Sequence, residues 1–294
     1  MKRSPMLLAD LGLVGICLIW GTSFAIVKTV VGDTNPATFI AVRFAIAAVV
    51  TGAMCLGRRR GKSGGGVGVW IAGLLASVPL MAGFLTQTVG LGLTTASKAG
   101  FITGMHVVFT PIIDWLVTRR RIAPYQVAGI GVALVGLGLL SIETFGRLQL
   151  GDLLVLACAF FFAVHIVMLS RLSPRFDGFA LSFTQMVGAA LLAAAVAGPD
   201  MAQAAQFGAE MWASVIYLAV MATAVAYLVQ TLAQRYTPPT RAALLMQLEP
   251  VFAAVFARLL IGEMMSARHY AGAAMILAGI IACQIGDARR TVEV

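Results

Sequence analysis

Arg43, His106, His165 and Glu249 lie well inside long apolar runs of this sequence. Each is costly in hydrocarbon and must meet a partner, water or a solute there. Glu249 could recognise an ammonium or take up a proton; it could equally serve as a structural acceptor beside Pro250. Arg43 offers fixed planar donors, which suit an anion clamp, a gating ion pair or a tie to carbonyls at a helix end. Its counterpart in the second half of the chain is Gln185. His106 and His165 could bind a solute, relay a proton or act as neutral hydrogen-bonders. Two imidazoles without Asp, Glu or Cys at ligand spacing make a poor metal site, so neither metal nor cofactor is expected.

Polar residues also recur at helical spacing. Thr103, His106, Thr110 and Asp114 share one face, and so do Thr223, Tyr227, Gln230 and Gln234. The matching face of an earlier run is Leu80, Phe84, Gln87 and Leu91. Such stripes either line an aqueous cavity or glue helices together, at roughly 0.6 kcal/mol per hydrogen bond. The aromatic residues Trp20, Phe24, Phe84, Phe101, Phe162 and Tyr227 would furnish a pocket for apolar side chains, although ordinary packing accounts for much of such a set. Pro79, Pro111 and Pro250 lie within apolar runs, where each removes a backbone hydrogen bond and makes either a hinge or a static kink.

The elements that must hold these residues come in two copies. Asp10-Leu11 recurs as Asp152-Leu153, Trp20-Gly21 as Phe162-Ala163, and Phe84 to Thr88 as Tyr227 to Thr231. Ala128-Gly129 with Gly136 recurs as Ala271-Gly272 with Gly279. The spacing is about 142 residues, and Pro111 and Pro250 are expected to correspond as well. A duplicated apolar chain suits a secondary transporter, in which two inverted halves rock about a shared site.

Composition points the same way. Of 294 residues, 60% are hydrophobic and 11% charged, against roughly 25% charged in soluble domains. Ten apolar runs of helical length follow one another, at 9–31, 35–57, 67–91, 95–118, 123–141, 150–170, 178–198, 211–234, 238–261 and 267–286. They lack the alternation of barrel strands. The fold expected is all-α and integral to the membrane: ten helices in two inverted five-helix repeats, 9–141 and 150–286, around a central cavity. The short loops leave no room for a soluble catalytic domain. Cys17, Cys55, Cys158 and Cys283 all fall in apolar runs and read as free thiols.

Of the 21 Lys and Arg, 15 fall on one side when loops are numbered alternately, which sets both termini in the cytoplasm. Equivalent loops carry opposite charge character. Arg58-Arg59-Arg60 with Lys62 corresponds to the base-free stretch Gly198 to Glu210, and Arg119-Arg120-Arg121 to the loop holding Gly262-Glu263. Asp33 corresponds to the loop with Arg171 and Arg175. With the basic residues confined to loops, the net charge of +9 describes topology, and no nucleic-acid partner is expected.

Leu18 to Phe24, Val42-Arg43-Phe44, Thr95 to Phe101, Leu248-Glu249-Pro250 and Gly262-Glu263 together resemble the ten-helix drug/metabolite transporter superfamily in its EamA-type branch. The chain is similar, more narrowly, to YddG-type exporters of aromatic and other amino acids. Thr118-Arg119 stands where the family often has Gly-Glu, so that turn is not a transport element in the first half. The resemblance implies a basket of helices around a cavity that opens alternately to each side, with the fifth and tenth helices peripheral.

The function expected is export of amino acids, aromatic or hydrophobic ones preferred, across a bacterial inner membrane by alternating access. Its partners would be the solute and the lipid bilayer. Export of drugs or other metabolites is the alternative within transport. An intramembrane enzyme lacks support, because there is no paired Asp, no Ser/His dyad context and no His-Glu-x-x-His helix. With no Walker motif, direct ATP use is excluded. Oligomeric state is not legible in the chain.

Overall fold

A computed structural model describes residues 5–30, 34–57, 66–94, 96–119, 121–141, 149–256 and 266–292. All the regular elements among them are helices: α1 (Pro5–Val30), α2 (Pro36–Leu56), α3 (Val67–Leu93), α4 (Ala96–Gly104), α5 (His106–Thr118), α6 (Pro124–Ser141), α7 (Leu150–Leu172), α8 (Gly178–Ala197), α9 (Ala209–Tyr217), α10 (Ala226–Ala233), α11 (Pro239–Leu245), α12 (Leu248–Phe256) and α13 (Ala267–Val292). A 3₁₀ stretch, Gly198–Gln206, follows α8, and a π-helical stretch, Leu218–Val225, joins α9 to α10.

Local chemistry sets several helix starts. Asn35 caps α2 by accepting from the Ala37 and Thr38 amides, with Pro36 just inside the helix. Asp177 caps α8 through the Phe179 and Ala180 amides. Gln149 and Asp152 form a capping box at α7. Outer faces are apolar: Leu56, Val67, Leu150 and Leu191 are each more than half exposed, which water would penalise and lipid would not.

Eight helices among the described residues are long and apolar enough to cross a membrane. Ten runs were expected. The two that differ are α6, whose apolar part is shorter, at Pro124–Leu139, and the run over 238–261, which is broken into α11 and α12. The break has a local cause. Pro250 has no N–H for the Met246 carbonyl four residues back, and that carbonyl instead accepts from the Glu249 amide, at 3.1 Å. The run over 95–118 also breaks, at Met105, whose amide bonds the Ile102 carbonyl at 3.0 Å. Through Pro79, α3 continues unbroken.

These breaks correct one expectation. The spacing that takes Ala128 to Ala271 pairs Pro250 with Val107 and Pro111 with Ala254, so the two prolines do not correspond. The breaks themselves do: Gly104 pairs with Gln247. They also meet in space, for Gln247 Nε2 donates to the Gly104 carbonyl. Within the Gly100 to Gly104 stretch, only Gly104 is a close-approach glycine, against Leu137 and Gln247; Gly100 faces open space.

Hydrogen bonds define two faces of the helix bundle. On the first face, Asp10 of α1 accepts from Thr237 and Arg241, and Asp114 of α5 accepts from Arg171 of α7 at 2.9 Å. On the second face, Asp152 of α7 accepts from Thr94 after α3, and Asn35 bonds Asp200 at 2.7 Å. Between the faces, α2 packs on α8, α3 on α7 and α8, and α6 on α13. Small residues set the last pair: a Cβ on Gly129 would lie 2.8 Å from the Gly279 carbonyl oxygen, and one on Gly136 would lie 2.6 Å from that of Gly272. The loop residues Asp33, Arg58–Arg60, Lys62, Arg120 and Gly262-Glu263 lie outside the described residues.

Candidate functional site

A central cavity of about 70 Å³ lies where the broken helices meet α1, α3, α7 and α10. That is room for several waters. Most of the lining falls into pairs at the repeat spacing: Trp20 with Phe162, Ser23 with His165, Phe84 with Tyr227, Gln87 with Gln230, Thr103 with Met246, and His106 with Glu249. Val27, Arg43, Leu91 and Ile166 complete it.

The aromatic wall is continuous. Trp20 and Tyr227 rings lie 5.5 Å apart, Phe84 is 5.9 Å from Tyr227 and 5.6 Å from Phe162, and His165 lies 5.7 Å from Tyr227. Trp20 is fixed by its indole N–H, which donates to the Ala222 carbonyl at 2.9 Å. That carbonyl lies in the π-helical stretch, and Thr223 in the same stretch bonds the Leu218 carbonyl. π-Helical stretches often occur at functional sites.

Arg43 reaches this wall from α2. Its Nε donates to Thr223 Oγ1 at 2.6 Å, and its guanidinium carbon sits 4.8 Å above the Phe84 ring, a cation–π arrangement. Arg43 is 4% exposed, yet among the described residues nothing accepts from Nη1 or Nη2. Glu249 presents a carboxyl group to the same cavity, with no donor to it among the described residues. His106 Nδ1 and Gln230 Oε1 are buried and unpartnered there too. His165 Nε2 faces Gln185 Oε1 at 3.0 Å, and Gln185 Nε2 donates to Thr231. A neutral His165 therefore carries its proton on Nε2 and keeps Nδ1 as an acceptor.

The cavity thus holds donors at Arg43, acceptors at Glu249 and Gln230, and a free ring nitrogen of His106, between aromatic rings. Buried polar groups normally find partners. Arg43 and Glu249 thus leave hydrogen-bonding capacity open on the two sides of one cavity. Among the described residues, no His, Cys, Asp and Glu group could hold a metal ion.

The other sequence candidates are placed as follows. Phe101 packs toward α6, near Gly138, and does not line the cavity. Gln185 stands behind the lining, holding His165. The Phe24 side chain lies outside the described residues. Thr110 bonds its own helix at the His106 carbonyl, and Asp114 belongs to the first face. Ser23, Val27, Ile166 and Met246 line the cavity without having been singled out, and Leu91 joins them from the face that holds Phe84 and Gln87. The repeat spacing would have found two of these: it carries His165 back to Ser23 and Thr103 to Met246.

Two broken helices, paired lining residues and an amphiphilic central cavity define a solute carrier of the membrane. The chain belongs to the EamA-like transporter family, whose model matches it twice, over residues 7–142 and 149–283. It is 36% identical over 275 residues to an uncharacterised transporter of Archaeoglobus fulgidus, covering 94% of this chain and 85% of that one. A second transporter of that organism is 26% identical, covering 90% and 92%. A solved crystal structure shares the fold at TM-score 0.79 and 20% identity, over 98% of this chain and 99% of its own. The protein is a multi-pass membrane transporter.

Proposed function

We propose that this transporter exports amino acids, with aromatic and hydrophobic side chains preferred, by alternating access between two inverted five-helix halves, 9–141 and 150–286. The observation that carries the substrate reading is that one cavity holds Arg43, whose two terminal nitrogens have no acceptor among the described residues, and Glu249, whose carboxyl group has no donor among them. A zwitterion satisfies both: its carboxylate accepts from Arg43 Nη1 and Nη2, and its ammonium donates to Glu249 and to the orphan acceptors at His106 and Gln230. Trp20, Phe84, Phe162 and Tyr227 then pack the side chain, in the manner of YddG-type exporters. Gln185 acts through His165.

Reciprocal contacts support the inverted halves. Asp10 bonds Thr237 and Asp152 bonds Thr94, while the repeat spacing takes Asp10 to Asp152 and Thr94 to Thr237. Gly129 meets Gly279, and Gly136 meets Gly272, with the same exchange of partners. Two-fold relations produce this pattern. The basic loops put the first face, with both termini, in the cytoplasm of a bacterial inner membrane. The helix breaks at Met105 and Met246-Gln247 supply bending points, the second of them next to Glu249-Pro250.

The test is uptake by proteoliposomes of a panel of labelled amino acids. Saturable transport of phenylalanine, leucine or tryptophan that competes with their zwitterionic analogues is expected. Transport of dyes or dicarboxylates, with no amino acid carried, would sink the reading.

A further inference from the structure

We infer that the wall between the central cavity and a second cavity on the first face is the closed gate of the pathway, and that Gln234 on α10 is its bolt. This rests on the two-half reading above. The second cavity, about 480 Å³, is lined by Asp114, Arg171, Gln234, Arg235 and Thr237 among others. Gln230 lines the central cavity and Gln234 the outer one. The two are joined, Gln230 Nε2 donating to Gln234 Oε1 at 3.1 Å. Gln234 Nε2 then donates to the Ile166 carbonyl of α7 at 2.9 Å. Both glutamines are 2% exposed. A single hydrogen-bonded turn therefore separates a vestibule from the substrate cavity.

The opposite face shows what an unbolted turn looks like. The repeat spacing takes Gln234 to Leu91, Leu169 to Val27 and Gln185 to Arg43. Leu91, Val27 and Arg43 line the central cavity; Gln234, Leu169 and Gln185 do not. The cavity accordingly leans toward the second face and is shut toward the first. The two closures also differ in chemistry. A carbonyl-bonding glutamine bolts the first face, whereas Leu91 can close the second only by apolar contact. This difference holds the resting carrier with its first-face gate shut. The Asp114–Arg171 pair beside the gate is part-exposed, at 43% for the arginine side chain, and so contributes little to the closure.

The test uses the full chain freed of native cysteines and reconstituted in liposomes, with reporter cysteines in place of Val27 or Leu169. A membrane-impermeant maleimide is applied from each side. In the unbolted variant Gln234→Leu, Leu169→Cys should react faster from the first face and Val27→Cys more slowly from the second. Each rate should change by about two- to tenfold, the range one net hydrogen bond supplies. Leu91→Gln, which adds a bolt to the second face, should shift both reporters in the same directions. A rise at both reporters means general loosening and overturns the inference, as does no change at either. Labelling of both reporters from one side overturns the inverted halves and the gate together. A reciprocal shift in a chain that carries no amino acid leaves the gate standing and removes the substrate reading alone.

Discussion

Arg43 anchors one nitrogen on Thr223 and leaves two others facing the cavity. Such a half-tethered guanidinium is oriented before the solute arrives. Arg43→Gln should therefore raise the half-saturating amino acid concentration about tenfold, as expected for losing a charge-assisted hydrogen bond, while Arg43→Lys recovers part of the loss. Concentration-dependent uptake measures this, and an unchanged value would return Arg43 to a structural tie. Trp20→Ala and Tyr227→Ala should lower transport several-fold more than they lower the amount of assembled protein, compared by uptake and by detergent-soluble monodisperse yield. Equal losses would make both residues packing. Ionisable and aromatic residues in apolar runs were legible in the sequence because burial makes them conspicuous. Val27 and Ile166 were not, because an aliphatic residue looks the same whether it faces lipid, a helix or a cavity. Phe101 misled for the same reason: an aromatic ring toward α6 and one toward the cavity share a composition.

Helices were legible as apolar runs, but their interruptions were not. The breaks at Met105 and Met246-Gln247, and the π-helical stretch over Leu218–Val225, depend on hydrogen bonds that run between elements. Gln247 reaches the Gly104 carbonyl, and Trp20 reaches the Ala222 carbonyl, across the bundle. Proline position alone pointed to Pro111 and Pro250 as counterparts, whereas the pairing that the fold uses is Gly104 with Gln247. Where backbones touch, the sequence signal was stronger, since only glycine tolerates such approach. Gly129→Val would drive its side chain into the Gly279 carbonyl and Cys283. It should destabilise the α6–α13 pair by about 1–3 kcal/mol. A fall in the thermal midpoint of the purified carrier, larger than for Gly131→Val at an open position, is the expected result.

The halves depend on each other across the whole molecule. Contacts of α2 with α8, α3 with α7 and α6 with α13 all cross the midpoint of the chain. Either half alone would turn these surfaces to lipid and take Thr237 and Arg241 from Asp10, or Thr94 from Asp152. The covalent link between them is the stretch 142–148, which follows α6 in the sequence. Severing that link should therefore be tolerated. Two co-expressed polypeptides, cut between Leu140 and Gln149, are expected to copurify and to carry solute, and each expressed alone should be degraded. On the proposed inverted arrangement, the gene pair that such a cut creates would resemble two small proteins inserted in opposite orientations, each useless without the other. A single uninterrupted chain guarantees that they are made in equal number.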